Sequence, residues 1–240
     1  MSSSVTLGRD SFDAVVFDLD GVLTQTAKLH ALAWKRMFDD FLAGRAGEQG
    51  VFEPFDPEAD YLNYVDGKPR IDGVASFLSV RGVDLPRGGP EDAESERTLW
   101  GLGNRKNRIF HTLIEQRGVE AFEGARELLR ALRSRGYLIA VVSSSKNCAQ
   151  VLAAAGLDTL FQARVDGMDL QRFGLRGKPA PDMFREAARR LEVAPSRAAV
   201  LEDALAGVQA GRAAGFGRVI GVSRTGRGER LRQAGADAVI

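Results

Sequence analysis

The chain has 240 residues, 44% of them hydrophobic and 27% charged, long enough to bury a sizeable core as one large domain or as a core with a smaller companion. Its 33 basic and 32 acidic side chains leave a formal net charge of +1, which excludes a global field that would draw in nucleic acid or an anionic membrane. A single cysteine, Cys148, excludes an internal disulfide.

Cys148 reads as a small buried helix residue, because no histidine lies near it in sequence, and such sparse cysteine usage fits a reducing compartment. The stretch from Met1 to Asp10 lacks the apolar segment of a signal peptide, and no uninterrupted apolar run approaches the length of a membrane span. The expectation is a cytoplasmic monomer with a frayed N-terminus, working without nucleic acid or membrane.

In chain order, the apolar run Ala14 to Phe17 predicts a first strand, and the spacing of Leu29, Leu32, Ala33, Phe38 and Phe41 predicts a helix from about Ala27 to Leu42. Glycine, proline and charge then dominate from Gly44 to Pro57 and again from Gly88 to Glu96. Short helices are expected at Gly73–Val80 and Leu99–Arg117, and no convincing strand interrupts this block. It reads as a helical cap, residues 27–120, inserted after the first strand of a core made of 1–26 and 121–240.

From Phe122 onward the pattern alternates. Helices are predicted at Gly124–Ser134, Asn147–Ala155, Asp182–Leu191, Ala204–Ala214 and Glu229–Ala234. Strands are predicted at Leu138–Val142, Phe161–Val165, Ala198–Leu201, Arg218–Val222 and Ala238–Ile240. Short, continuously apolar strands such as Ile139-Ala140-Val141-Val142 suit a parallel sheet covered on both faces. The expected fold is a doubly wound, Rossmann-like α/β core with an all-helical cap, binding its ligand at the carboxyl ends of the strands.

Polar groups occur where these strands run out. Asp18-Leu19-Asp20-Gly21 follows the first strand, with two carboxylates starting on one side of it and a glycine that allows a sharp turn. Ser143-Ser144-Ser145-Lys146-Asn147 follows Val142 and offers hydroxyls and amides to an anion at a helix start. Glu202-Asp203 follows Leu201, and Lys178 sits in a loop stiffened by Pro179 and Pro181. Alone, each has a plainer reading: a capped turn, an N-cap, a helix cap, a solvated lysine. Together, at one edge of one sheet, they make a phosphoryl-transfer site, with carboxylates for Mg²⁺, a serine and a lysine for phosphate oxygens, and an aspartate to attack.

The four ordered motifs, Asp18-Leu19-Asp20-Gly21, Ser143, Lys178-Pro179 and Glu202-Asp203, resemble those of the haloacid dehalogenase superfamily across essentially the whole chain. That resemblance implies Asp18 as nucleophile and Asp20 as general acid/base. It implies Mg²⁺ held by Asp18, Asp203 and the Asp20 backbone carbonyl with support from Glu202, and a phosphoryl group gripped by Ser143 and Lys178. A carboxylate nucleophile also suits dehalogenation, but Asp20 and the Glu202-Asp203 pair point to phosphate.

Within the superfamily the chain looks most like the β-phosphoglucomutase group, through Thr26, His30 and Trp34 of the first cap helix, the segment Ser143 to Asn147, and Arg105-Lys106-Asn107. The resemblance implies that His30 and Lys106 help hold Asp20, that Ser145 and Asn147 contribute to substrate binding, and that Arg70 binds the phosphate not being transferred. The expected substrate is a small phosphorylated sugar, and the expected reaction is interconversion of β-glucose 1-phosphate and glucose 6-phosphate through an aspartyl-phosphate. A phosphatase of sugar phosphates or other small phosphomonoesters is the alternative, followed by a non-catalytic phosphosugar-binding module. The chain departs from the group at Asp66-Gly67-Lys68-Pro69-Arg70, where a basic residue before the glycine and a Val-Ser pair before the arginine are common. It departs again at Gln25, which replaces an acidic residue.

Overall fold

The computed structural model describes residues 5–49, 53–224 and 226–240. The first four residues of the expected frayed N-terminus, and residues 50–52 of the polar stretch Gly44–Pro57, lie outside the described residues. The chain divides into two compact units. One takes in the chain through Gln25, Gly67–Pro69 and Val119–Ile240; the other comprises Thr26–Asp66 and Arg70–Gly118.

The first unit is built on six parallel strands: β1 (Ala14–Asp18), β2 (Leu138–Val142), β3 (Ala163–Val165), β4 (Ala198–Glu202), β5 (Arg218–Gly221) and β6 (Ala238–Val239), in the order β3-β2-β1-β4-β5-β6. This is the doubly wound α/β arrangement that the alternating pattern predicts. Residues of β1 and β4 are buried throughout, which is why these strands read as unbroken apolar runs and not as apolar-polar alternation. On one face Ala14, Val16, Ala140, Val142, Ala198 and Val200 join one core cluster with Met183 and Phe184.

Six helices connect the strands: α4 (Ala125–Ser134), α5 (Cys148–Ala154), α6 (Gly167–Phe173), α7 (Asp182–Arg190), α8 (Leu205–Ala214) and α9 (Gly228–Gln233), numbered after three in the second unit. Sequence periodicity missed α6. Its signal was nevertheless local, since Asp166 caps the amides of Met168 and Asp169 while the Asp169 side chain accepts from the Asp166 amide, a closed capping box. Strand β3 also starts two residues later than predicted.

The second unit contains α1 (Thr26–Gln49), a π-helical turn at Tyr61–Val65, α2 (Arg70–Val80) and α3 (Leu99–Arg117), and no strand among its described residues. Its core is aromatic. Phe38 lies 5.3 Å from Trp34, 5.2 Å from Phe55 and 4.2 Å from Phe77, centroid to centroid. Helix α1 continues seven residues past the predicted end at Leu42, through Gly44 and Gly47. Each glycine weakens a helix by about 1 kcal/mol relative to alanine, a cost that the helix formers between them and the packing of the preceding turns offset. Helix α2 begins three residues earlier than the pattern suggests, directly after Pro69, so Arg70 is its first residue.

Candidate active site

Sheet register brings the chemistry together. Phe17 of β1 is level with Leu201 of β4, and Asp18 is level with Val142 of β2, so Asp18 and Glu202 end adjacent strands side by side and Ser143 follows one residue beyond on the other neighbour. Strand order reverses between β1 and β4, where a crevice opens at the carboxyl ends of a doubly wound sheet.

Lys178 reaches this point from the loop before α7. Its ammonium donates to Asp18 Oδ1 and, at 2.5 Å, to Glu202 Oε1, and all three side chains are buried. The second Glu202 oxygen accepts from the Ala204 amide at 2.9 Å, so that carboxylate is held at both ends. Burial drives the Asp18 carboxyl well above the usual carboxylate range; Lys178 pulls it back, and Glu202 and Asp20 push it further up. Burial alone would lower Lys178, but the Asp18 and Glu202 carboxylates reverse that and hold it charged above the usual lysine range.

Asp18, Glu202 and Asp203 each present a carboxylate oxygen within 4.8 Å of the others. When ionised, three carboxylates against one ammonium leave two negative charges uncompensated in a buried place, and hard oxygen donors of this kind suit a divalent cation. Gly21, at φ +90°, is shaped to this cluster: a Cβ there would lie 1.9 Å from Asp203 Oδ2. The residues present therefore fit a metal ion. The three carboxylates of the cluster do not include that of Asp20, which is half-buried and accepts from Ser143 Oγ at 3.3 Å.

Ser143 Oγ also accepts from the Ser145 amide at 3.2 Å, and Ser145 Oγ from the Asn147 amide at 3.1 Å, so the serine run curls into a turn before α5. Ser144 faces elsewhere and donates to the Gly67 carbonyl at 2.9 Å.

In the second unit, Thr26, His30 and Trp34 follow at intervals of four on one face of α1. The buried Lys106 ammonium lies 2.6 Å from His30 Nδ1, 4.9 Å from the Trp34 ring centroid and 4.8 Å from that of Phe110, on which His30 stacks at 3.9 Å. If the lysine is charged it can only donate, in which case Nδ1 accepts and the imidazole proton sits on Nε2. Arg70 is half-buried. Among the described residues its guanidinium meets no carboxylate; it donates to Asn104 Oδ1 at 3.2 Å, and its Nε is buried without a partner. Burial lowers its pKa to about 10.

Two participants escaped the sequence reading. Arg224, in the loop after β5, donates to the carbonyls of Gly21 and Val22 at 3.1 and 3.4 Å and lies 3.5 Å over the Phe122 ring, which braces the turn after the first motif. A polar residue just beyond a strand at the same sheet edge was the signal available. Gly207 of α8 is the other: a Cβ there would lie 1.7 Å from Glu202 Oε1. Nothing in the local pattern marks it.

Residues 12–215 match the family described as haloacid dehalogenase-like hydrolase. Over 231 residues the chain is 54% identical to a β-phosphoglucomutase of Mycobacterium bovis, covering 95% of this chain and 88% of the relative, and 34% identical over 228 residues to that of Bacillus subtilis, covering 95% and 88%. The crystal structure of β-phosphoglucomutase from Clostridium difficile superposes with a TM-score of 0.72 at 26% identity, covering 95% of this chain and 90% of that one. Fold, motif order and kinship agree, and the chain belongs to the haloacid dehalogenase-like hydrolase family, as an enzyme of that superfamily.

Proposed function

We propose that this enzyme is a Mg²⁺-dependent phosphomutase of the β-phosphoglucomutase type, interconverting β-glucose 1-phosphate and glucose 6-phosphate through phospho-Asp18. The observation that carries the reading is Lys178 bridging Asp18 and Glu202 inside a buried carboxylate cluster at the strand ends. The 54% identity to a β-phosphoglucomutase supports the sugar.

The C6 hydroxyl of β-glucose 1-phosphate attacks the phosphorus of phospho-Asp18. Its proton passes to Asp20, the bond from phosphorus to Asp18 breaks, and glucose 1,6-bisphosphate results. The bisphosphate then turns over. Asp18 attacks the phosphorus on the C1 oxygen, that P–O bond breaks, and Asp20 returns its proton to the departing oxygen, leaving glucose 6-phosphate. Ser143 and Lys178 hold the transferring oxygens, and Ser145 and Asn147 line the approach. His30, Lys106 and Arg70 are assigned to substrate binding, Arg70 to the phosphate that is not reacting, for which a guanidinium fork is suited. Mg²⁺, held by Asp18, Glu202, Asp203 and the Asp20 carbonyl, supplies charge neutralisation for the phosphoryl group.

The test is to incubate the protein with Mg²⁺, β-glucose 1-phosphate and a trace of β-glucose 1,6-bisphosphate while following glucose 6-phosphate and inorganic phosphate together. Accumulation of glucose 6-phosphate with little free phosphate is expected. Stoichiometric phosphate release from many sugar phosphates would instead identify a phosphatase.

A further inference from the structure

We propose that Asn104 is a positioning residue for Arg70, and that the polar stretch before α3 acts through it to set the enzyme's selectivity for substrates carrying a second anionic group. The inference rests on the reading of Arg70 as the ligand of the non-reacting phosphate.

Asn104 Nδ2 donates to two backbone carbonyls of that stretch, Pro90 at 3.1 Å and Asp92 at 2.9 Å, and Oδ1 accepts from Arg70 Nη2 at 3.2 Å. The amide can face only this way, because both carbonyls are acceptors and the guanidinium is purely a donor. Asn104 therefore converts the position of one loop into the aim of one arginine.

The loop is able to act as a fixed reference despite its glycine-rich, charged composition. Asp92 Oδ1 accepts from the Gly89 amide at 3.1 Å, its other oxygen accepts from the Thr98 hydroxyl, and Thr98 Oγ1 caps α3 at the Gly101 amide at 2.9 Å. The amides of Leu99 and Trp100 donate back to Pro86 and Arg87 at 3.0 and 3.2 Å, closing the segment on the helix that bears Asn104.

Helix α3 is also cut away where Arg70 lies. A Cβ at Gly103 would stand 2.7 Å from Ile71 Cδ1 and 3.4 Å from Arg70 Nε. A neutral amide is well chosen for this position. A carboxylate in its place would neutralise the guanidinium and compete with phosphate, whereas an amide oxygen orients the fork and leaves its charge available.

The experiment compares kcat/KM for β-glucose 1-phosphate, with Mg²⁺ and trace bisphosphate, against kcat/KM for p-nitrophenyl phosphate, which carries no second anion. Wild type, Asn104→Ala, Arg70→Ala and the double variant are measured, with melting curves. Asn104→Ala is expected to lower the ratio of the two values by about tenfold or more, chiefly through a higher KM for the sugar phosphate, the scale of one hydrogen bond to a charged group. In the Arg70→Ala background it should lower the ratio no further. Should Asn104→Ala fail to fold, Asn104→Leu serves instead: similar in size and uncharged, it loses both donors to the loop and the oxygen that orients Arg70, and the ratio should fall likewise. A ratio lowered by Arg70→Ala but not by either Asn104 variant overturns the positioning role and leaves the reading of Arg70 standing. Additive losses in the double variant also overturn it, and an unchanged ratio in Arg70→Ala overturns both readings.

Discussion

Asp18 carries opposing demands: it is buried beside two other carboxylates, which disfavours its charge, and bonded to a lysine that favours it. The proposed role of nucleophile requires it to be ionised when phosphate arrives, and the Lys178 ammonium beside it favours that form. Asp18→Asn replaces one carboxylate oxygen by an amide nitrogen and removes the charge with almost no change in shape. Turnover of β-glucose 1-phosphate should fall by at least about 10⁴-fold, as when other enzymes lose a nucleophile, while a cooperative melt shows that the fold survives. Residual activity within a hundredfold of wild type would exclude Asp18 from that role. Asp18 and Glu202 were legible because each ends an apolar strand. Arg224 was not, because its work is done on carbonyls, which no side-chain pattern announces.

At the scale of elements, α8 shows how a helix can shape a site it does not enter. Alanine is a better helix former than glycine by about 1 kcal/mol, so propensity alone predicts that Gly207→Ala stabilises the protein. Packing predicts the reverse, since the new methyl would overlap Glu202, whose two oxygens are pinned by Lys178 and the Ala204 amide in a fully buried setting. Overpacking of this kind costs about 1 to 3 kcal/mol and outweighs the helical gain. Gly207→Ala should therefore lower Tm and reduce kcat together. An unchanged kcat with a raised Tm would mean that α8 yields and Glu202 stays in place.

For the whole molecule, a divalent cation in the carboxylate cluster would couple stability to metal and to pH. The Asp18 pKa is raised on folding, so the metal-free fold binds that proton more tightly than the unfolded chain does. Its contribution is fully present below the unfolded carboxylate value and is lost as pH rises through the folded one. A divalent cation in the proton's place would restore it. Mg²⁺ at about a hundred times its Kd should stabilise the protein by about 2.7 kcal/mol, which is roughly 5 to 10 °C in Tm for a domain of this size. The gain should shrink as pH falls through the raised Asp18 value, because protons then compete for the ligand oxygens, and Asp203→Asn should diminish it at every pH. Thermal scans with Mg²⁺ and with a chelator, across pH, check this; a gain that grows in acid would contradict the assignment.

The sequence by itself determined the parallel α/β architecture and the order of its motifs, because both are written in short-range patterns: apolar runs of strand length, turn residues, and carboxylates or hydroxyls where the runs stop. It also delimited α3, whose ends are marked by the Thr98 cap and Gly118. What only the tertiary structure decided are the relations between distant residues. Lys178 meets a carboxylate 160 positions away and another 24 positions away, and that meeting depends on strand register and on the loop that carries the lysine. The passage of α1 through two glycines, the start of α2 at Arg70 and the closeness of Gly207 to Glu202 were settled in the same way. Local propensity differs between alternatives by only about 1 kcal/mol per residue, and packing between elements contributes several times that, so tertiary contacts have the final word wherever the two disagree.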